Sequence, residues 1–168
     1  LKHHKVTHLC GAPIVMSTIL DTAEEMKQTL EERVEFFTAA APPAEKLLIR
    51  MHEAGFNVTH LYGLTEVYGP AVINDWHSQW SDLPNASQAM LKARPGVRYH
   101  ALEGLDVFDS ETMEPVLRDG KTIGEVMFRG NIVMKGYLKN PSATRVAMKD
   151  GWFHSGDLGA VSYTHLRA

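Results

Sequence analysis

Cysteine is almost missing from this sequence: Cys10 is the only one in 168 residues. One thiol cannot close a disulfide within the chain, so nothing points to an oxidising compartment. Cys10 ends the apolar stretch Val6-Thr7-His8-Leu9-Cys10 and reads as a small buried side chain. Charge of one sign is missing too: 17 Lys and Arg face 20 Asp and Glu, a net charge of −3. That balance argues against a nucleic-acid partner, which usually leaves a basic excess. No hydrophobic run approaches the roughly 20 residues of a membrane-spanning helix, and no basic-then-apolar stretch opens the chain. Hydrophobic residues at 44% and charged residues at 22% exclude a disordered tail. These absences read together as a cytoplasmic globular protein. The nine histidines show no H-E-x-x-H spacing and no cysteine pair beside them, which excludes the usual zinc patterns. There is no Gly-x-Ser-x-Gly elbow and no G-x-x-x-x-G-K-[ST] phosphate loop. Asn85-Ala86-Ser87 fits the N-glycosylation pattern and reads as a surface loop.

What the chain does contain falls into two textures. Residues 6–10 and 34–40 are short, apolar and bounded by polar or Pro/Gly positions, which predicts strands. Residues 43–54 predict a helix, with Pro43 at its first position, Leu47, Leu48 and Met51 at helical spacing and Gly55 at the stop. A strand over 57–61 and a helix over 84–93 follow. Strand–helix–strand alternation indicates a parallel α/β layer. Beyond Pro95 strands are expected at 105–108 and 125–128, a helix from Asn140-Pro141 to about Met148, a turn at Asp150-Gly151, and a strand entered by Trp152-Phe153-His154. The sequence therefore divides near residue 95, into 1–95 (α/β) and 96–161 (β-rich).

Four segments can carry chemistry. Tyr62-Gly63-Leu64-Thr65-Glu66 follows a strand, and ligands of parallel sheets lie beyond the carboxyl ends of strands. A glycine there lets backbone approach a ligand, a threonine hydroxyl can donate to phosphate, a glutamate suits Mg²⁺, and a tyrosine ring can lie against a base. Taken alone, the segment reads equally as a strand-ending turn. Gly124-Glu125-Val126-Met127-Phe128-Arg129-Gly130, continuing to Met134-Lys135-Gly136-Tyr137, reads as architecture that shapes a site. Trp152-Phe153-His154-Ser155-Gly156-Asp157 ends on a carboxylate that can hold the two hydroxyls of a ribose, or is a turn aspartate after glycine. Thr38-Ala39-Ala40-Ala41-Pro42-Pro43 is a run of small residues after a strand, where a flat ring could pack on backbone, or a tight strand-to-helix loop.

In this order the segments resemble the adenylate-forming (AMP-binding) superfamily. Cys10-Gly11-Ala12-Pro13-Ile14-Val15 and Lys135-Gly136-Tyr137-Leu138-Lys139-Asn140-Pro141 are most similar to its acyl-CoA synthetase branch, including fatty-acid and methylmercaptopropionate-CoA ligases. The motif set is specific for the superfamily and much less so for the substrate. The resemblance implies an α/β fold, the latter part of a large N-terminal domain. It also implies an acid–thiol ligase using ATP, Mg²⁺ and coenzyme A, which activates a fatty or short-chain acid as acyl-AMP before thioester formation. By resemblance Tyr62 stacks on adenine, and Ala40, Ala41 and Pro42 run along it. Gly63 belongs to the same loop, Thr65 contacts phosphate, Glu66 binds Mg²⁺, and Asp157 holds the ribose. Gly69, Pro70 and Trp76 are expected at the acid pocket, although Trp76 reads as well as a packing residue. A peptide-synthetase adenylation domain and a non-catalytic nucleotide-binding relative stay open as alternatives.

Such synthetases are several times longer, so the chain is expected to be an internal piece. The phosphate loop and the aromatic-His segment would lie before it and the lysine-bearing domain after it. Such a piece is expected to be inactive alone. Residues 162–168, Ser162-Tyr163-Thr164-His165-Leu166-Arg167-Ala168, depart from the family pattern and read as a non-native tail.

Overall fold

A computed structural model describes residues 1–162 and 165–167. The chain forms two compact units, Leu1–Leu61 with Asn74–Arg94 and Tyr62–Ile73 with Pro95–Ala168. The first unit holds strands His8–Cys10 (β1), Val34–Thr38 (β2) and the greater part of Phe56–Leu64 (β3), with helices Pro13–Glu25 (α1), Glu45–Glu53 (α2) and Asn85–Lys92 (α3). β1 and β2 run parallel with His8 opposite Glu35, and β2 and β3 run parallel with Phe36 opposite Val58. The parallel layer is thus as the sequence reading has it. Alternation along β2 buries Val34, Phe36 and Thr38, and Val34 and Phe36 share a core with Met16 and Leu20 of α1, Leu48 and Met51 of α2, and Phe56, Val58 and Ala89. Each large side chain buried this way contributes on the order of 1.5–3 kcal/mol.

Local signals explain these elements. Pro13 begins α1, where its missing N–H costs nothing. Met16 and Leu20 then recur one turn apart on the buried face. This helix was not anticipated. Gly55, at φ +94°, takes the left-handed turn that ends α2. Cys10 corrects the sequence reading: it is exposed, because Leu9 takes the core side of β1 and its neighbour must point the other way. Asn85 is exposed as expected but opens α3 rather than a loop.

Buried polar groups hold α3 in place. Its last carbonyls have no helical partners. Asn74 Nδ2 donates to Leu91 O at 2.9 Å and Arg94 O at 2.8 Å, and His60 Nδ1 donates to Ala93 O at 2.9 Å. Burial lowers the pKa of His60, partly opposed by its bonds to the Ala93 and Arg94 backbone. Lys92 Nζ donates to Asn57 Oδ1 and Val58 O, both at 2.9 Å. Burial first, and the Arg33 charge second, depress its ammonium to about 8, with Glu35 opposing.

The second unit is mostly antiparallel. Gly69–Ile73 (β4) pairs with Val97–Arg98 (β5). Gly104–Phe108 (β6), Gly124–Arg129 (β7), Phe153–Ser162 (β8) and His165–Arg167 (β9) form a sheet in that order. Pro141–Ala147 (α4) is capped by the Asn140 side chain, which accepts from the Ala143 amide at 3.1 Å. The sequence boundary near residue 95 needs one amendment. Residues 62–73 pack with the second unit, because Val67, Ala71 and Val72 join its core beside Leu102, Val107, Phe128 and Phe153. Of the segment read as a non-native tail, Tyr163, Thr164 and Ala168 lie outside the described residues. Among the described residues no helix is long and apolar enough to cross a membrane.

Candidate functional site

The site residues of the second unit start inside β3, not after it. β3 runs to Leu64, and Thr65–Val67 form a single 3₁₀ turn. Tyr68 and Gly69 then take left-handed conformations, φ 63° and 97°, and turn the chain into β4. Val67 is buried and pins the turn to the core. Gly63 faces protein backbone. A Cβ there would lie 2.8 Å from the carbonyl carbon of Gly69 and 3.0 Å from the amide nitrogen of Ala71. The glycine therefore serves the approach of β4 to β3, a packing role the sequence reading had given to a ligand.

Tyr62 and Asp157, 95 positions apart, meet directly. The Tyr62 hydroxyl donates to Asp157 Oδ2 at 2.7 Å, and its ring lies against Phe128 with centroids 5.9 Å apart. Burial, then the hydrogen bond and charge of Asp157, raise the Tyr62 pKa, with Ser155 opposing. The tyrosine therefore stays a neutral donor to a carboxylate.

Asp157 does not stand in a turn. It lies on β8 within a bulge, where His154 pairs Met127 and Leu158 pairs Glu125, so residues 155–157 oppose Val126 alone. Bulges re-aim side chains in this way. The Ser155 hydroxyl donates to Val126 O at 2.6 Å, and the Asp157 amide donates to Ser155 Oγ at 3.1 Å.

Glu66 follows Thr65, which is exposed. Glu66 O accepts from the Met134 amide at 2.7 Å, and Oε1 accepts from the Tyr137 hydroxyl at 3.0 Å. That bond, with smaller contributions from desolvation and the Glu66 charge, raises the Tyr137 pKa. The Tyr137 amide in turn donates to Thr144 Oγ1 at 2.9 Å. At Gly136, φ +149°, a Cβ would come within 2.6 Å of Thr144 Cγ2. The sequence alone marks Tyr137 as architecture. Its place in a Gly-Tyr pair beside a loop was a visible signal, but its partner was not. Gly69 is conformationally demanding, with nothing within 4 Å of a Cβ, and Pro70 is exposed.

The remaining candidates belong to the first unit. Ala40, Ala41 and Pro42 are exposed, and Ala40 holds φ 78°, an uncommon conformation for a residue with a Cβ. Just before them the hydroxyl of Thr38 is buried without a hydrogen-bond partner. Trp76 is packed on several sides: Nε1 donates to Ser81 Oγ at 3.0 Å, Trp80 meets it edge-on at 5.4 Å, and Lys92 Nζ sits 4.5 Å from its ring. The packing reading of Trp76 thus has direct support.

Known proteins resemble the chain along most of its length. The AMP-binding enzyme family matches residues 1–138. An acetate–CoA ligase, CCL3, of Humulus lupulus is 54% identical over 91% of this chain and 27% of its own length. A peroxisomal acetate/butyrate–CoA ligase, AAE7, of Arabidopsis thaliana is 49% identical over 92% of this chain and 27% of its own. The chain therefore spans little more than a quarter of the length of these relatives. Among solved structures, the N-terminal domain of FACL13 from Mycobacterium tuberculosis superposes with a TM-score of 0.75 over 98% of this chain and 39% of that one, at 23% identity. The fold is accordingly that of the N-terminal domain of adenylate-forming enzymes. With the match reaching from the first residue through Tyr137, the hydroxyl that holds Glu66, the protein is a member of the AMP-binding enzyme family.

Proposed function

We propose that the full-length protein carrying this chain is an ATP-dependent acyl-CoA synthetase for a short-chain or fatty acid. The names of the two relatives, acetate and acetate/butyrate ligases, favour the short end. In the first step a carboxylate oxygen bonds the α-phosphorus of ATP and the bond to the β-phosphate bridge breaks, releasing pyrophosphate. In the second, the thiol sulfur of coenzyme A bonds the acyl carbon, AMP leaves, and the thiol proton passes to solvent.

The Tyr62–Asp157 hydrogen bond at 2.7 Å carries the reading. It joins the two segments expected to hold adenine and ribose. A carboxylate offers about four lone-pair positions. Asp157 can therefore keep Tyr62 on Oδ2 and still accept ribose hydroxyls, with the Tyr62 ring fixed for an adenine. Ala40, Ala41 and Pro42 would line the base and Thr65 would donate to phosphate. Glu66 suits Mg²⁺: Tyr137 takes Oε1 and leaves the second oxygen for a hard cation. Among the described residues no three His, Cys, Asp or Glu side chains converge, so its other ligands would be phosphate oxygens and water, the usual Mg²⁺ arrangement. Bound there, the ion would neutralise charge building on the phosphates. Gly69, Pro70 and Trp76 would border the acid.

We also place the enzyme in the cytoplasm, on the single cysteine. The relative named as peroxisomal makes that organelle the competing compartment, and imaging of a tagged full-length protein decides. The functional test is ATP–pyrophosphate exchange by the full-length protein with acetate, butyrate and octanoate, followed by thioester formation. Asp157→Ala is expected to raise KM for ATP about tenfold, the loss of roughly 1.4 kcal/mol of charge-assisted hydrogen bonding. AMP binding without exchange for any acid would return the non-catalytic alternative. Exchange without a CoA ester would return the peptide-synthetase one.

A further inference from the structure

A bulge leaves backbone groups without ladder partners, and each must find another. At the bulge the carbonyl of Val126, on β7, and the amide of Asp157, on β8, are both served by Ser155 Oγ. The amide of Gly156 is served from across the sheet, by Glu125 Oε1 at 2.9 Å. The second oxygen of the same carboxylate, Oε2, is 3.0 Å from His154 Nδ1. Glu125 thus spans the bulge, gripping the residue that enters it and the glycine that precedes Asp157. The grip is well shielded, with the His154 and Glu125 side chains 15% and 13% exposed. His154 Nε2 is buried without a partner. A proton there would be an unpaired buried donor, so the neutral ring carries its proton on Nδ1 and donates to Glu125. Gly156 holds φ 76°, and the Glu125 carboxylate is the side chain that bonds its amide.

We propose that Glu125 is a positioning residue for ribose recognition: its two oxygens, on His154 and Gly156, lock the bulge that presents the Asp157 carboxylate to Tyr62 and to the ribose hydroxyls. The inference rests on the nucleotide reading above and adds to it a residue that makes no contact with the ligand. Without Glu125 the Gly156 amide, on an exposed residue, can turn to water. The shielded His154 Nδ1 loses its acceptor at the same time, so some stability is lost together with the direction of the carboxylate.

The test uses the full-length enzyme with Mg²⁺ and compares binding of AMP with 2′,3′-dideoxy-AMP, which lacks the hydroxyls Asp157 would hold. Glu125→Ala is expected to weaken AMP about tenfold, the worth of roughly one charge-assisted hydrogen bond, while leaving the dideoxy compound unchanged. Discrimination between the two ligands therefore collapses. Glu125→Gln, which keeps an acceptor for the Gly156 amide but presents an N–H to His154 Nδ1, is expected to restore it only in part. Glu125→Asp, too short to reach both partners, is expected to lose it, and it provides the reading if the alanine variant does not fold. Equal weakening of both ligands in the variants, or unchanged discrimination in all of them, overturns the proposal. If the wild-type enzyme binds both compounds alike, the ribose role of Asp157 fails instead, and with it the nucleotide reading.

Discussion

Replacing Gly63 with alanine should cost more than any other glycine substitution in the loop. The added methyl would sit 2.8 Å from the Gly69 carbonyl carbon and 3.0 Å from the Ala71 nitrogen, where unstrained carbon pairs keep about 3.5–4.0 Å. The overlap is thus at least ~0.7 Å, and it falls on backbone, which has no rotamer to change. Nor can β4 retreat, because Ala71 and Val72 are fully buried in the core. Such overpacking is expected to destabilise by about 3 kcal/mol or more. The reference is Gly151→Ala. That glycine also needs a left-handed backbone, φ 78°, but has nothing within 4 Å, so only the conformational cost of ~1–2 kcal/mol remains. Denaturant midpoints of the two variants in the full-length enzyme, with AMP binding at low denaturant, measure the difference. A Gly63→Ala protein no less stable than Gly151→Ala, but unable to bind nucleotide, would refute the packing argument and return the glycine to a ligand.

Three further outcomes are expected. Lys92 is depressed from 10.5 to about 8, so between those values the unfolded chain holds the extra proton and stability rises with pH. Relative to Lys92→Met, the wild type should gain up to ~3 kcal/mol between pH 8 and 10.5; a pH-independent difference in denaturant midpoints contradicts this. Asn140→Ala removes the cap of α4 and should cost about 1 kcal/mol, read as faster hydrogen exchange over residues 141–147, and unchanged protection would show that the cap is idle. Trp76→Ala should shift the ratio of kcat/KM between acetate and octanoate if Trp76 borders the acid, whereas a preserved ratio with lowered stability leaves it a packing residue.

Much of the layer was readable because one residue type sufficed for each signal. Gly55 stops α2 and Asn140-Pro141 starts α4, and both are written locally. The helix at Pro13 went unseen because Ser17, Thr18 and Thr22 dilute its apolar stripe, although Met16 and Leu20 keep the spacing. β4 buries Ala71 and Val72 in succession instead of alternating, and β5, with two residues, is too short for a period. At the site, the residue types at Tyr62, Glu66 and Asp157 were legible, but their partners were not. That Tyr62 would meet Asp157, or Tyr137 meet Glu66, depends on contacts 95 and 71 positions apart, which no local pattern encodes. The exposure of Cys10 shows the same limit: composition marks a residue as apolar, and only strand alternation says which way it points.

The bulge on β8 also constrains how this segment can change length. It sets three residues against one, so β8 carries two beyond simple pairing, and an even surplus preserves the alternation of faces. Phe153 before it and Val161 after it consequently share the buried side. Loss of one residue between them would turn Val161 outward and drive polar neighbours into the core. Loss of two would keep the sheet intact and flatten the strand, removing Asp157's presentation alone. The sheet and the site are separable by a parity rule: indels here are tolerated by the fold in pairs, and by the function not at all.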